Sequence, residues 1–265
     1  MAILRYTILG CGSSGGVPRL GGLWGACDPG NAKNLRRRCS MLVERIDNGK
    51  TTRVLIDTSP DMRAQLLDAG VGYLDGVIFT HDHADHMHGI DDLRMVVFNR
   101  RSRLPVWADK RTADSLLMRF GYAFVQAPDS SYPAILELNS IATSTEITGA
   151  GGTICIEPFE VKHGNIDALG FRIGGLAYLP DAEEIYDHAW GKLDNLKVWV
   201  VDVLRYRPHS SHAHLERTLE WIKRAAPERA IITNMHIDLD YDTLNAETAD
   251  HITPAHDGMV IELDA

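Results

Sequence analysis

Residues 80–86 read Thr80-His81-Asp82-His83-Ala84-Asp85-His86, three imidazoles and two carboxylates within seven positions. His81 and His83 alternate, so an extended segment projects both together, and Asp85 and His86 follow closely enough to turn toward the same place. Neutral imidazole nitrogens beside a carboxylate suit Zn²⁺ or another divalent transition ion. Just before the motif, Gly76 to Phe79 is a short apolar run that reads as a buried strand. Ligands carried on a loop at the carboxyl end of a strand are the arrangement an α/β scaffold offers for binding.

Upstream, Ile3 to Leu9 reads as a strand broken by the glycine-rich stretch 10–16, which fits either a phosphate-binding nest or a structural turn. Residues 17–39 read as an extended loop carrying the basic run Arg36-Arg37-Arg38. Cys39 to Arg45 and Thr52 to Ile56 flank the turn Asp47-Asn48-Gly49-Lys50, the pattern of a hairpin. A short helix is expected over Asp61 to Ala69. Downstream, Ile90, Leu93, Val96 and Val97 have helical spacing, and Arg100, Arg101 and Arg103 are expected to face solvent at that helix's end. Another helix is expected over 112–120, and the mixed region 121–152 has room for a substrate-specific insertion.

Later, strand-like runs repeatedly end in polar side chains. Thr153 to Val161 leads to His163, Ala168 to Tyr178 leads to Asp181, and Ala230 to Thr233 leads to His236. Each can complete a coordination shell from a different loop. Val198 to Val203 precedes Arg207-Pro208-His209-Ser210-Ser211-His212-Ala213-His214, after which Leu215 to Ala225 reads as a helix.

The chain has 265 residues, 45% of them hydrophobic, with 27 Lys and Arg against 36 Asp and Glu, a net charge of −9. A chain of this size buries about 70–75% of its unfolded surface, and without a long linker one domain over 1–265 is expected. The acidic balance weighs against a main task of gripping nucleic-acid backbone. Four cysteines without a CxxC pair, and no secretory-type leader, give a cytoplasmic expectation. No apolar run of about 18 residues suggests a membrane span.

Taken together, the Gly-rich strand exit at 10–16, Asp57, the 81–86 motif and the later His163, Asp181 and His236 resemble the metallo-β-lactamase fold superfamily. The resemblance extends to its phosphodiesterase branch, which includes phosphoribosyl 1,2-cyclic phosphate phosphodiesterase. It implies an α/β fold, an αββα sandwich of two mixed sheets between outer helices. It also implies two divalent ions, Zn²⁺ or Mn²⁺: His81, His83 and His163 on one, Asp85, His86 and His236 on the other, and Asp181 bridging them as a catalytic residue. Asp57 would brace the histidine loop, with Asp82 and His88 as neighbours. His212 would be the general acid, with His214 as its competitor and Asp202 orienting it. Arg36, Arg37, Arg38 and His214 are the candidate phosphate contacts, and Trp24 and Tyr206 can stack on a base. One departure is that Cys11, Cys27 and Cys39 are too widely spaced for the extra structural zinc site of some relatives.

The reaction this implies is hydrolysis of a small phosphodiester, a cyclic ribose phosphate or a nucleotide-like one, by a dinuclear metal-dependent phosphodiesterase. Three alternatives use the same residues: an RNA 3′-end endonuclease, a thioester or lactone hydrolase, and a noncatalytic metal-dependent nucleotide-binding module. A small-molecule substrate, no obligate nucleic-acid partner and no membrane are expected, and a homodimer is allowed.

Overall fold

A computed structural model describes residues 1–265. The chain divides into two compact units, one formed by residues 1–7, 40–155 and 260–265 and the other by residues 8–39 and 156–259. The first contains β1 (Ile3–Gly10), β2 (Ser40–Asp47), β3 (Lys50–Ile56), α1 (Met62–Asp68), β4 (Gly76–Ile78), α2 (Ala84–Met87), α3 (Leu93–Arg100), β5 (Leu104–Ala108), α4 (Lys110–Phe124), β6 (Leu136–Ser140) and β7 (Thr145–Gly149). Its mixed seven-stranded sheet runs from the C-terminal strand Met259–Asp264 through β1, β2, β3, β4 and β5 to β6. The antiparallel hairpin β2–β3 closes at Asp47 opposite Lys50, as the turn sequence implies. From β3 to β6 the strands are parallel. Val54, Leu55, Ile56, Val77, Ile78 and Val106 are all buried. Continuous apolar runs are what parallel strands covered on both faces require.

The second unit contains β8 (Gly152–His163), β9 (Ile166–Ile173), β10 (Leu176–Leu179), β11 (Glu184–Ile185), β12 (Val198–Asp202), α5 (Leu215–Ala225), β13 (Arg229–Thr233), α6 (Tyr241–Glu247) and β14 (Ile252–Pro254). Its strand order is β11-β8-β9-β10-β12-β13-β14. β8, β9 and β10 are antiparallel neighbours, and β10, β12, β13 and β14 are parallel. Every residue of β10 and β12 is buried, and Trp199, Tyr178 and Phe171 are the largest side chains of this core.

Several expectations are corrected. Ala168 to Tyr178 is two strands rather than one, because Gly174 and Gly175 turn the chain back on itself. The helix expected over 112–120 extends from 110 to 124, with Asp109 capping its start by accepting from the Thr112 amide. Region 121–152 finishes that helix and then supplies the edge strand β6 and the strand β7. Arg101 and Arg103 are exposed as expected, with Arg103 donating to the carbonyls of Leu136 and Phe124, whereas Arg100 is half-buried and donates to the Leu74 carbonyl. No helix is long and apolar enough to cross a membrane.

Candidate functional site

In the first unit, β3 and β4 lie parallel with Ile56 opposite Ile78, so the residues that follow, Asp57 and Thr80-His81, leave the sheet side by side. Asp57 is fully buried and has φ +62°, a left-handed conformation uncommon outside glycine. Its Oδ1 accepts from the Thr80 amide at 2.8 Å, and its Oδ2 from the Thr80 hydroxyl at 2.7 Å and from His86 Nδ1 at 2.7 Å. Because the hydroxyl donates to Asp57, the Thr80 oxygen accepts from His81 Nδ1, 2.9 Å away. One carboxylate therefore orients two imidazoles, His86 directly and His81 through Thr80. The network assigns the Nδ1 proton in both rings and leaves Nε2 as the lone-pair nitrogen, the state a metal ligand needs. Burial pushes the Asp57 carboxyl above its ordinary range, while His86 and Thr80 pull it down.

The remaining donors of this segment gather around these two rings. The His81 ring centroid lies 4.6 Å from that of His83 and 4.3 Å from that of His86, and Asp85 Oδ2 is 3.7 Å from His86 Nε2. α2, which carries Asp85 and His86, is a single turn fastened to the loop after β3. The Thr58 amide donates to the His86 carbonyl, the Gly89 amide to the Thr58 carbonyl, and the Thr58 hydroxyl to the Met87 carbonyl. Gly89 is required here, since a Cβ at that position would sit 2.0 Å from the Ser59 carbonyl oxygen.

In the second unit the chemistry again lies past the carboxyl ends of parallel strands. Asp181 follows β10, Asp202 ends β12, and Asn234 and His236 follow β13, while His163 ends the antiparallel β8. His163 Nδ1 donates to the Ser211 carbonyl at 2.6 Å, and its Nε2 is 3.5 Å from Asp181 Oδ2. A third imidazole is thus fixed with Nε2 as its lone-pair atom. Asp202 is fully buried; its Oδ2 accepts from the Ala182 amide and from His212 Nδ1, both at 3.0 Å, and its Oδ1 from the Asn234 amide group at 3.0 Å. Burial raises the Asp202 carboxyl and the His212 imidazole lowers it. The His163 and His212 rings lie edge to face, 4.6 Å apart. His236 has Nδ1 3.1 Å from Asp238 Oδ2, and burial holds its basicity below that of a free imidazole.

The other candidates are placed as follows. His214 occupies the N-cap of α5 without a side-chain capping bond, and the Asp202 hydrogen bond goes to His212 instead. Arg36, a candidate phosphate contact, is 2% exposed, and its Nη1 and Nη2 donate to the His236 carbonyl and Asn34 Oδ1. Arg37 is held by Asp257 through Nε at 3.1 Å, and Arg38 is half-buried beside Gly12. The glycine-rich stretch is a packed turn rather than an open nest. The amides of Gly12, Ser13 and Gly16 donate to the carbonyls of Arg37, Met235 and Ser13. Asp82 turns to Arg111, His88 packs edge-on against Phe120, and the Tyr206 hydroxyl donates to Glu247. Trp24 is half-buried. Sequence reasoning gave no role to Thr80 or Asn234; Thr80 adjoins His81, whereas nothing local marks Asn234.

The donor chemistry of each unit fits a divalent transition ion: His81 and His86 in the first and His163 in the second are held at Nδ1, each unit has a carboxylate beside them, and no ammonium group lies among the donors. Comparison with known proteins gives the class. The description "Beta-lactamase superfamily domain" matches residues 52–237, and this chain belongs to that superfamily and carries its α/β fold. Within it, the chain is similar to a member of the PhnP family. A solved structure described as a new diphosphatase from the PhnP family is 31% identical, with a TM-score of 0.87, over 99% of this chain and 98% of that one. Zn²⁺-bound PqqB from Methylobacterium extorquens shares the fold at 18% identity and a TM-score of 0.74, covering 98% and 100% of the two chains. An octanoyltransferase of Porphyromonas gingivalis is 32% identical over 98% of this chain and 52% of its own length. A ribonuclease Z of a Bradyrhizobium species is 32% identical over 45% of this chain and 40% of its own length. The chain spans about half the length of the curated relatives it matches.

Proposed function

We propose that both units act as one hydrolase domain and that the chain is a dinuclear metal-dependent phosphodiesterase acting on a small phosphodiester, a cyclic ribose phosphate or nucleotide-like ester. His81, His83, His163 and Asp181 form the core of the proposed centre. Asp85, His86 and His236 would hold a second ion, and Asp181 would serve both ions. The observation that carries this reading is the uniform tautomer of His81, His86 and His163, each held at Nδ1 by a protein acceptor. Divalent ions, Zn²⁺ or Mn²⁺, would polarise a phosphoryl oxygen and acidify a water molecule.

The protein's own share of the chemistry lies in geometry and proton handling. Asp57 and Thr80 hold the first-unit imidazoles, and Ser211 holds His163, so the donors need little rearrangement to bind. His212 has its Nδ1 on the buried Asp202, so a proton on Nε2 would pass to a departing alkoxide while Asp202 stabilises the imidazolium. A general acid of this kind suits an alcohol leaving group. The diphosphatase relative, similar across the whole chain, supports phosphorus as the reacting centre. The octanoyltransferase relative supports a second reading, acyl ester or thioester hydrolysis.

The deciding experiment is a phosphorus-NMR time course with metal-loaded protein on matched cyclic and linear phosphodiesters and diphosphates, run beside an acyl thioester. A phosphomonoester growing from the ribosyl cyclic phosphate, lost in His81→Ala, supports the assignment. Turnover confined to the thioester supports the acyl reading, and turnover confined to RNA would transfer the assignment to an endonuclease.

A further inference from the structure

Arg36 is among the largest fully buried side chains, and it sits in a loop rather than on a strand or helix. Burying a guanidinium costs free energy that an aliphatic side chain of equal length avoids, so what its donors reach is informative. Nη1 donates to the His236 carbonyl at 3.4 Å and lies 3.8 Å from Cys27 Sγ, and Nη2 donates to Asn34 Oδ1 at 3.0 Å.

Those partners fasten the same two segments together. Asn34, itself fully buried, donates to Asp240 Oδ2 at 2.7 Å and to the Asp28 carbonyl, and its Oδ1 accepts from the Tyr241 amide at 2.8 Å. The Cys27 thiol has the carbonyls of Ile237 and Leu239 within reach of its one proton, at 3.5 and 3.4 Å, and the Ala26 amide donates to the Ile237 carbonyl. Gly25 lets the strands of this loop touch: with φ +60°, a Cβ there would lie 2.4 Å from the Ile237 carbonyl oxygen. Residues 25–36 therefore form a strap over 236–241, with the Arg36 guanidinium on the backbone of His236 itself.

We infer that Arg36 is a positioning residue for His236, fixing through the His236 carbonyl the direction in which that imidazole is offered to a metal. The inference rests on the proposed reading of His236 as a ligand. Two arginines of the basic run thereby tie loops together, Arg36 at His236 and Arg37 at Asp257. Cys27 supports the same loop through its thiol, which lies 3.5 Å from the Ile237 carbonyl and 3.4 Å from that of Leu239.

The test is calorimetric Zn²⁺ titration of the apoprotein in wild type, His81→Ala, His236→Ala and Arg36→Met, with visible spectra of the Co²⁺-loaded forms and melting of each apoprotein. Arg36→Met is expected to reproduce His236→Ala: one class of ion weakened by about tenfold or more, the other unchanged, with an altered Co²⁺ spectrum distinct from that of His81→Ala. If Arg36→Met fails to fold, Cys27→Ala and Cys27→Ser take its place. The alanine is expected to weaken the same ion and the serine, which keeps one proton for the Ile237 or Leu239 carbonyl, to retain it. If His236→Ala leaves both ions untouched, the ligand reading falls and the inference with it. If His236→Ala removes an ion while Arg36→Met and Cys27→Ala lose only melting temperature, Arg36 is a plain structural residue and the inference alone is overturned.

Discussion

Replacing Thr80 by valine keeps the shape of the side chain and deletes one oxygen, and the structure says what that oxygen does. It donates to Asp57 Oδ2 at 2.7 Å and accepts from His81 Nδ1 at 2.9 Å, in a site where Thr80, Asp57 and His81 are all 1% exposed or less. Valine leaves the His81 N–H without its acceptor and removes a charge-assisted bond from Asp57, whose other bonds to the Thr80 amide and to His86 remain. An unsatisfied buried donor costs about 1–3 kcal/mol, and the lost bond adds about 1–2, so apoprotein stability should fall by about 2–5 kcal/mol. The His81 ring, no longer held at Nδ1, should also bind its ion about 10–100-fold more weakly. Thr80→Ser keeps the hydroxyl and loses one methyl, which costs about 1 kcal/mol and spares the affinity. Denaturant unfolding of the apoproteins and Zn²⁺ titration measure the two quantities separately. If valine and serine variants agree within about 0.5 kcal/mol and bind metal equally, the Thr80 relay carries neither stability nor ligand orientation, and the tautomer argument for His81 loses its basis.

Three further outcomes follow from the same geometry. Asp202→Asn should lower kcat by about a hundredfold or more while metal content, measured by atomic absorption, stays at the wild-type level, because it disturbs the His212 proton rather than a donor. Gly89→Ala must displace either the Ser59 carbonyl or α2; a loss of about 1–3 kcal/mol in unfolding free energy and weaker binding of the ion on Asp85 and His86 are expected, read by melting and titration. Chelation should abolish turnover and lower the melting temperature while far-UV circular dichroism persists, since each unit has its own apolar core, and Zn²⁺ or Mn²⁺ should restore both.

The fold was legible where the chain is apolar and periodic. Val54-Leu55-Ile56, Gly76-Val77-Ile78 and the run Val198 to Val201 are strands because nothing polar interrupts them, and the polar residue that ends each run marks where the sheet gives way to a loop. It was least legible where glycine breaks an apolar run without changing its composition. Ala168 to Tyr178 looks like one strand, yet Gly174-Gly175 makes it two antiparallel ones. The burial of Arg36 was hidden for a related reason. Arginine is read as exposed because burial without a partner is costly, but Arg36 finds two of its acceptors in the His236 carbonyl and the Asn34 side chain, 200 and 2 residues away. The first of those pairings is invisible in a linear reading.

Two buried carboxylates in separate units do the same thing to different ends. Asp57 follows β3 and holds His86 by Nδ1; Asp202 ends β12 and holds His212 by Nδ1. Burial raises both carboxyls, and in each the imidazole partner opposes that shift. What separates a ligand from an acid is therefore not the carboxylate–imidazole pair but what meets the other nitrogen. The His86 ring is 1% exposed, with Asp57 on Nδ1 and Asp85 3.7 Å from Nε2, so two carboxylates flank it. The His212 ring is 16% exposed and stands edge-on to His163, a neighbour that offers no negative charge. A histidine against a second carboxylate favours a bound cation, whereas one facing an opening beside another imidazole is better suited to carrying a proton in and out. A sequence records the two histidines identically, and only the surroundings of the second nitrogen divide them.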